Sequence, residues 1–204
     1  MSFRWDETYG LVWQTDVQHH IQAKGGQVWD QTAFRIRNDD GSETAATWIA
    51  AKDTNAEVNT DTNFRVRFLL TESGGTARSA NFKLAYSHNG GSYTDVTTTS
   101  SVIKFVTSTE YTDEDDTTEQ LDGPNTFDTT NRGMANGQVW DNVSHAANEE
   151  SEYETCLSIV SGDVSGGDTI DLQVKKADDS DLDTYTKTPR ITVPSAGATN
   201  PHRS

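Results

Sequence analysis

The chain is 204 residues long, enough for one large domain or two small ones with a substantial core. Its 32 Asp and Glu against 16 Lys and Arg leave a formal charge of -16, which argues against a protein that grips nucleic acid or an anionic bilayer. Hydrophobic residues make up 32% and no apolar run approaches the ~20 residues of a membrane-spanning helix, while recurring β-patterned segments and aromatics argue for folding.

Residues 1 to 26 read as an N-terminal extension ending at Gly25-Gly26. Its first residues, Met1 to Glu7, carry acids and no apolar stretch of a secretory signal, so Sec export is not expected. Leu11, Trp13, Thr15, Val17, His19 and Ile21 alternate with polar and apolar neighbours in the period of a strand. Phe3, Trp5, Tyr9 and Trp13 are the candidate partner-binding residues, because an aromatic arm can add a strand to a partner or lay rings in its grooves. The alternative is that the same rings pack back on the chain's own body.

Residues 27–194 read as a β-sandwich domain. Val28, Asp30, Thr32, Phe34 and Ile36 alternate with Trp29, Gln31, Ala33, Arg35 and Arg37, and Asn38-Asp39-Asp40-Gly41 supplies the turn. Thr44 to Ala51 is Ala-rich and reads as a strand in preference to a short helix. Phe64, Val66, Phe68 and Leu70 face one way while Arg65 and Arg67 face the other. Phe82, Leu84 and Tyr86, then His88-Asn89-Gly90-Gly91 and a return through Tyr93 to Val96, form the clearest hairpin. Further strands are expected over Val102 to Thr107, Tyr153 to Val160, Ile170 to Val174 and Thr184 to Val193. In the last of these Pro189 removes a ladder donor and predicts an edge or a bulge. Residues 108–150 form a long polar excursion, and 195–204 a small, polar tail. Gly26-Gln27-Val28-Trp29-Asp30 recurs as Gly137-Gln138-Val139-Trp140-Asp141, an echo that marks two equivalent strand starts or coincidence.

The chemistry-bearing residues form no catalytic or metal-binding pattern. Seven acids and no base lie between Glu110 and Asp122, centred on Asp113-Glu114-Asp115-Asp116, but without the spacing or central glycine of an EF-hand. Asp178, Asp179, Asp181 and Asp183 make a second acidic cluster that a turn explains as well. His19 and His20 are adjacent, so on a strand they point apart, and His88, His145 and His202 are scattered. Cys156, the one cysteine, reads as a buried inert thiol. No nucleophile elbow, P-loop or dinucleotide fingerprint occurs, so neither an enzyme nor a cofactor or metal is expected. The acid excess with only seven Lys fits a protein working in high salt as well as an ordinary acidic surface.

The run from Phe34 through Trp48 to Asn55, the segments Phe64 to Phe68 and Phe82 to Tyr86, and the stretches Ala147 to Cys156 and Leu182 to Val193 together resemble a group of structural proteins from marine and environmental tailed phages. The resemblance covers residues 31–193, leaves the N-terminal 30 residues outside it, and implies an Ig-like β-sandwich; with the residue patterns, the expected fold is an all-β, Ig-like antiparallel β-sandwich with an N-terminal extension and a long inserted loop. The resemblance also implies a place in the virion, assembled in the host cytoplasm. The leading expectation is a capsid decoration (cement) protein, trimeric, bound to the major capsid protein or other virion proteins, without nucleic-acid or membrane contacts. The alternatives are a tail component (tube, baseplate or fibre) and a carbohydrate-binding β-sandwich module.

Overall fold

The computed structural model describes residues 3–6, 10–13, 28–137 and 139–195. Its strands are β1 (Phe3–Asp6), β2 (Gly10–Trp13), β3 (Trp29–Asn38), β4 (Ala56–Glu57), β5 (Asn63–Glu72), β6 (Arg78–His88) and β7 (Thr94–Asp95). They continue with β8 (Ile103–Phe105), β9 (Thr126–Phe127), β10 (Met134–Ala135), β11 (Val139–His145), β12 (Glu149–Ile159), β13 (Thr169–Lys176) and β14 (Arg190–Thr192). Strands β1 and β2 form an antiparallel hairpin. The first large sheet runs β10-β12-β5-β3, with β8 and β9 also on β12; the second runs β11-β6-β13-β14-β4, with β7 on β6. Every long pairing is antiparallel, and the parallel contacts of β9, β10 and β4 are two residues each. The body is an all-β sandwich, as the alternation requires.

The two sheets meet through one face of each strand. Phe64, Val66, Phe68 and Leu70 of β5, with Tyr153, Leu157 and Ile159 of β12, pack in one core with Phe82, Leu84, Ile170, Leu172 and Val174 of the second sheet. Each such side chain, taken fully from water, contributes about 1.5–3 kcal/mol. Aromatic edges interlock at one end of this core: Trp29 meets Phe82 at 5.1 Å between centroids, and Trp140 meets Tyr153 at 5.9 Å. The predicted hairpin is present. Asn89 and Gly90 take positive φ of 50° and 73°, and Gly91 N–H donates to the His88 carbonyl at 2.9 Å. That is the backbone which Asn-Gly makes accessible between strands of right-handed twist.

Three expectations are corrected. Residues 44–51 are neither strand nor helix but a loop with a single bridge, Trp48 to Arg37. They spend their backbone groups on the outer edge of β3, through Asn38 N–H to Thr47 O at 2.9 Å and Ile49 N–H to Ile36 O at 3.0 Å. The closing strand is three residues, not ten; Pro189 stands just before it, and β14 lies between β13 and β4 instead of at the edge. The excursion gives way to β11 at Val139, so β11 and the start of β12 belong to the sandwich. A register shift between Trp140 and Val143 hid β11, since two inward residues three apart break period two. The echoed Trp-Asp pairs do open two strands, β3 and β11, in opposite sheets.

Candidate functional site

On the first sheet, the residues between the core positions face away from the second sheet. They are Arg35 and Arg37 on β3, Arg65 and Arg67 on β5, and Glu150, Glu152 and Glu154 on β12. Strand alternation alone would leave them in water. Instead Arg37, Arg65, Arg67, Glu150, Glu152 and Glu154 are each 0% exposed, because the loop after β3 and the excursion make contact across them.

Glu154 is the hub. Its Oε1 accepts from Arg37 Nε at 2.9 Å, Arg37 Nη2 at 2.6 Å and Arg65 Nη1 at 3.1 Å, and its Oε2 accepts from Arg67 Nε at 2.5 Å. Arg67 Nη1 reaches Glu152 Oε2 at 2.8 Å and its Nη2 reaches Glu43 Oε1 at 2.5 Å. Arg65 Nε lies 3.0 Å from Asp39 Oδ1, an ion pair without hydrogen-bond alignment, and its Nη2 donates to the Gly41 carbonyl.

The same carboxylates capture backbone from the excursion. Glu152 Oε1 accepts from Gln120 N–H at 2.6 Å and Leu121 N–H at 2.5 Å, and Glu43 accepts from Thr118 N–H at 3.0 Å. Leu121 then packs on Ala33 and Leu69 in a small second apolar cluster. Arg35 and Arg37 stand 4.2 and 4.8 Å from the Trp48 ring.

Burial and charge compete within this cluster. Burial works against the Arg67 charge, but Glu154, Glu152 and Glu43 more than offset it and push its pKa up, so the guanidinium stays ionised. Burial lowers Arg37, with Glu154 opposing. For Glu43 burial is again the largest influence, but Arg67 and the Thr118 bonds reverse it and hold the carboxyl low. Burial wins at Glu152 and Glu150, whose pKa values are raised. One Glu150 oxygen accepts from Asn125 N–H at 2.9 Å and the other has no partner among the described residues. Glycines let the cover come this close. A Cβ on Gly133 would overlap the Glu152 carbonyl oxygen, and one on Gly123 the Glu150 carboxylate. Chemically the cluster is a clamp in which Arg37, Arg65 and Arg67 are paired with Glu154, Glu152, Glu43 and Asp39.

The acidic stretches do not converge on a point. Asp113 accepts from Asn136 N–H at 2.7 Å, Asp115 from Thr112 N–H at 3.0 Å and Asp116 from Arg132 N–H at 2.8 Å, while Glu114 pairs with Arg132. Each carboxylate ties its own piece of loop. In the second cluster Asp179 pairs with Lys83, Asp181 with Lys175 and Asp183 with Lys176. Among the described residues no three His, Cys, Asp or Glu are placed to hold a metal ion. His19, His20 and His202 lie outside them. His88 bonds Asp168 at 3.0 Å on the surface. Cys156 is buried beside Asp39, and burial pushes its thiol pKa up, which makes it an inert thiol.

His145 is 1% exposed, with Nε2 2.8 Å from Tyr153 Oη and Nδ1 unpartnered among the described residues. Burial lowers its pKa to about 4, so it is neutral at pH 7.

Of the four expected partner-binding residues, Phe3, Trp5 and Trp13 lie in the N-terminal hairpin, and Tyr9 falls outside the described residues. The register sets Phe3 opposite Trp13 and Trp5 opposite Leu11, which puts positions 3, 5, 11 and 13 on one face of the ribbon. The hairpin is a sheet of its own. The buried ionic cluster was not anticipated. Its trace in the sequence is complementary parity: Arg at 35, 37, 65 and 67, and Glu at 150, 152 and 154, each spaced by two along a strand. Neither a family model nor a curated protein matches the chain.

Proposed function

We propose that the protein is a structural component of a tailed-phage virion, a decoration protein that binds the assembled head shell. The observation that carries this reading is the N-terminal hairpin, a separate two-stranded sheet whose register sets Phe3 opposite Trp13 and Trp5 opposite Leu11. A body whose sheet is closed on both faces suits a passive, weather-facing block. The acidic surface suits particles that must stay dispersed. The resemblance across residues 31–193 supports the virion setting.

In this reading the protein acts by preferring the assembled lattice to free subunits, which stabilises the shell by mass action. Contacts to several subunits at once, or to copies of itself in a trimer, add avidity. A sugar-binding role has less to work with in the body: Trp29 and Trp140 are buried, and Trp48 carries two guanidinium groups.

Quantitative mass spectrometry of purified particles tests the reading. Copies on the scale of the major capsid protein support decoration; copies on the scale of one ring or fibre set move the protein to the tail. Absence from the particle overturns the virion reading.

A further inference from the structure

We propose that the free edge of β11 is the docking site for the N-terminal hairpin of a second copy of this chain, which extends the second sheet across the contact. The inference deepens the oligomer named above but stands on separate observations, and its test uses the free protein.

The edges of the sandwich are unequal. The outer edge of β3 is occupied by residues 47–53 and 184–187, through bonds such as Asp53 N–H to Phe34 O at 2.9 Å and Lys187 N–H to Gln31 O at 3.0 Å. The opposite end of the first sheet carries β8, β9 and β10 on β12. At the far end of the second sheet β4 is only two residues long. Strand β11 has seven residues, pairs with β6 on one side, and has no ladder partner on the other among the described residues. Val139 at its start is 37% exposed. The irregularity between Trp140 and Val143 and the acid at 141 guard this edge against long, flat pairing. An edge of that kind fits a short partner, and each strand of the hairpin has four residues.

The hairpin in turn has no third strand among the described residues. A two-stranded ribbon is marginal in water, and a third strand or a packed face stabilises it. In the single chain it pairs with neither large sheet among the described residues, so the missing strand is sought on another copy.

The body also fixes where the arm leaves. Glu72, 0% exposed, accepts from Val28 N–H at 3.3 Å, Gly74 N–H at 2.8 Å and Asn148 N–H at 3.1 Å. Asn148 lies in the turn between β11 and β12, so the chain leaves the body beside the C-terminal end of β11. Residues 14–27 then span at most about 50 Å when extended, enough to reach the matching edge of a neighbour. Exchange of hairpins between copies closes into a symmetric oligomer. Because each copy carries -16, association strengthens as salt screens the repulsion.

Hydrogen exchange by mass spectrometry, run on the full chain across a concentration series beside analytical ultracentrifugation, tests this. The comparison is the full-length variant Arg4→Pro with Val12→Pro, which breaks the hairpin; β5 amides that stay protected show that its body is folded. The expected result is an oligomer whose residues 139–145 exchange about tenfold more slowly than in the dilute protein, with protection and assembly both lost in the variant. A monomer at every concentration and salt overturns the proposal. So does an oligomer whose β11 exchange is unchanged, or protection of β11 that depends on the hairpin but not on concentration, since that places the hairpin on its own body. None of these outcomes bears on whether the protein is found in the particle.

Discussion

The two faces of the first sheet are both sealed from water, by opposite chemistry. On the inner face β5 offers Phe64, Val66, Phe68 and Leu70 to a core that any well-shaped apolar set would fill. On the outer face the same strand offers Arg65 and Arg67, which take up carboxylates from β12 and from the loop after β3. The inner contact is tolerant in direction and strong in sum. The outer contact is directional, and each ion in it is costly to leave alone. The sandwich draws its stability from the first face, whereas the second directs where the excursion lies, because Glu152 and Glu43 accept from its backbone at Gln120, Leu121 and Thr118. Burying charge is weak evidence for stability and better evidence for a unique arrangement.

The largest effect expected from this contrast is at the hub. Glu154→Gln leaves Arg37, Arg65 and Arg67 without their shared anion and lowers unfolding free energy by about 3–5 kcal/mol, measured by urea denaturation. A loss under about 1 kcal/mol would show that water enters beneath the excursion and that the two faces are less different than described.

A second test comes from the inner side. His145 has its folded pKa lowered to about 4 from an ordinary 6.5, so between those values the unfolded chain binds more protons. Stability from this group is full above pH 6.5 and is lost as pH falls towards 4, about 3 kcal/mol in all. Denaturation midpoints across that range should fall in the native chain and flatten in His145→Gln. An unchanged slope would assign the acid sensitivity to the carboxylates of the outer face.

Leu121→Ala removes the apolar anchor of the cover without touching a charge, and a cost of about 2–3 kcal/mol is expected from thermal unfolding. Limited proteolysis should then cut first within residues 106–136. The smallest effect belongs to an exposed pair, Arg190 with Asp171 at 2.7 Å, where Arg190→Ala should change stability by less than about 1 kcal/mol and lose even that in high salt.

The legible part of the fold was the part governed by local periodicity. Alternation at Phe64 to Leu70 and at Phe82 to Tyr86, and the Asn89-Gly90 turn, located strands and a hairpin correctly. It failed where the backbone departs from period two, at the β11 irregularity and at the β3 shift between Gln31 and Ala33, which brings Trp29 into the core with Phe34 and Ile36, and where a segment caps an edge without pairing along it, as Thr44 to Ala51 does. The pairing of β1 with β2, which sets position 3 opposite 13 and position 5 opposite 11, is a register that alternation does not specify. The ionic cluster was not legible, although every member was visible. Arginines facing away from a core are normally solvated, and nothing local says otherwise.

From the sequence alone came the all-β class, the inward-facing residues of β5 and β6 and the acidic composition, because hydrophobic period and net charge are properties of neighbours along the chain. Only the tertiary structure decided that Arg37, Arg65 and Arg67 share Glu154, that the excursion is their cover, and that Glu72 sets the exit of the arm. Those outcomes depend on residues 24 to 117 positions apart meeting in space. Their energy is realised only when water is excluded, and no local pattern encodes that.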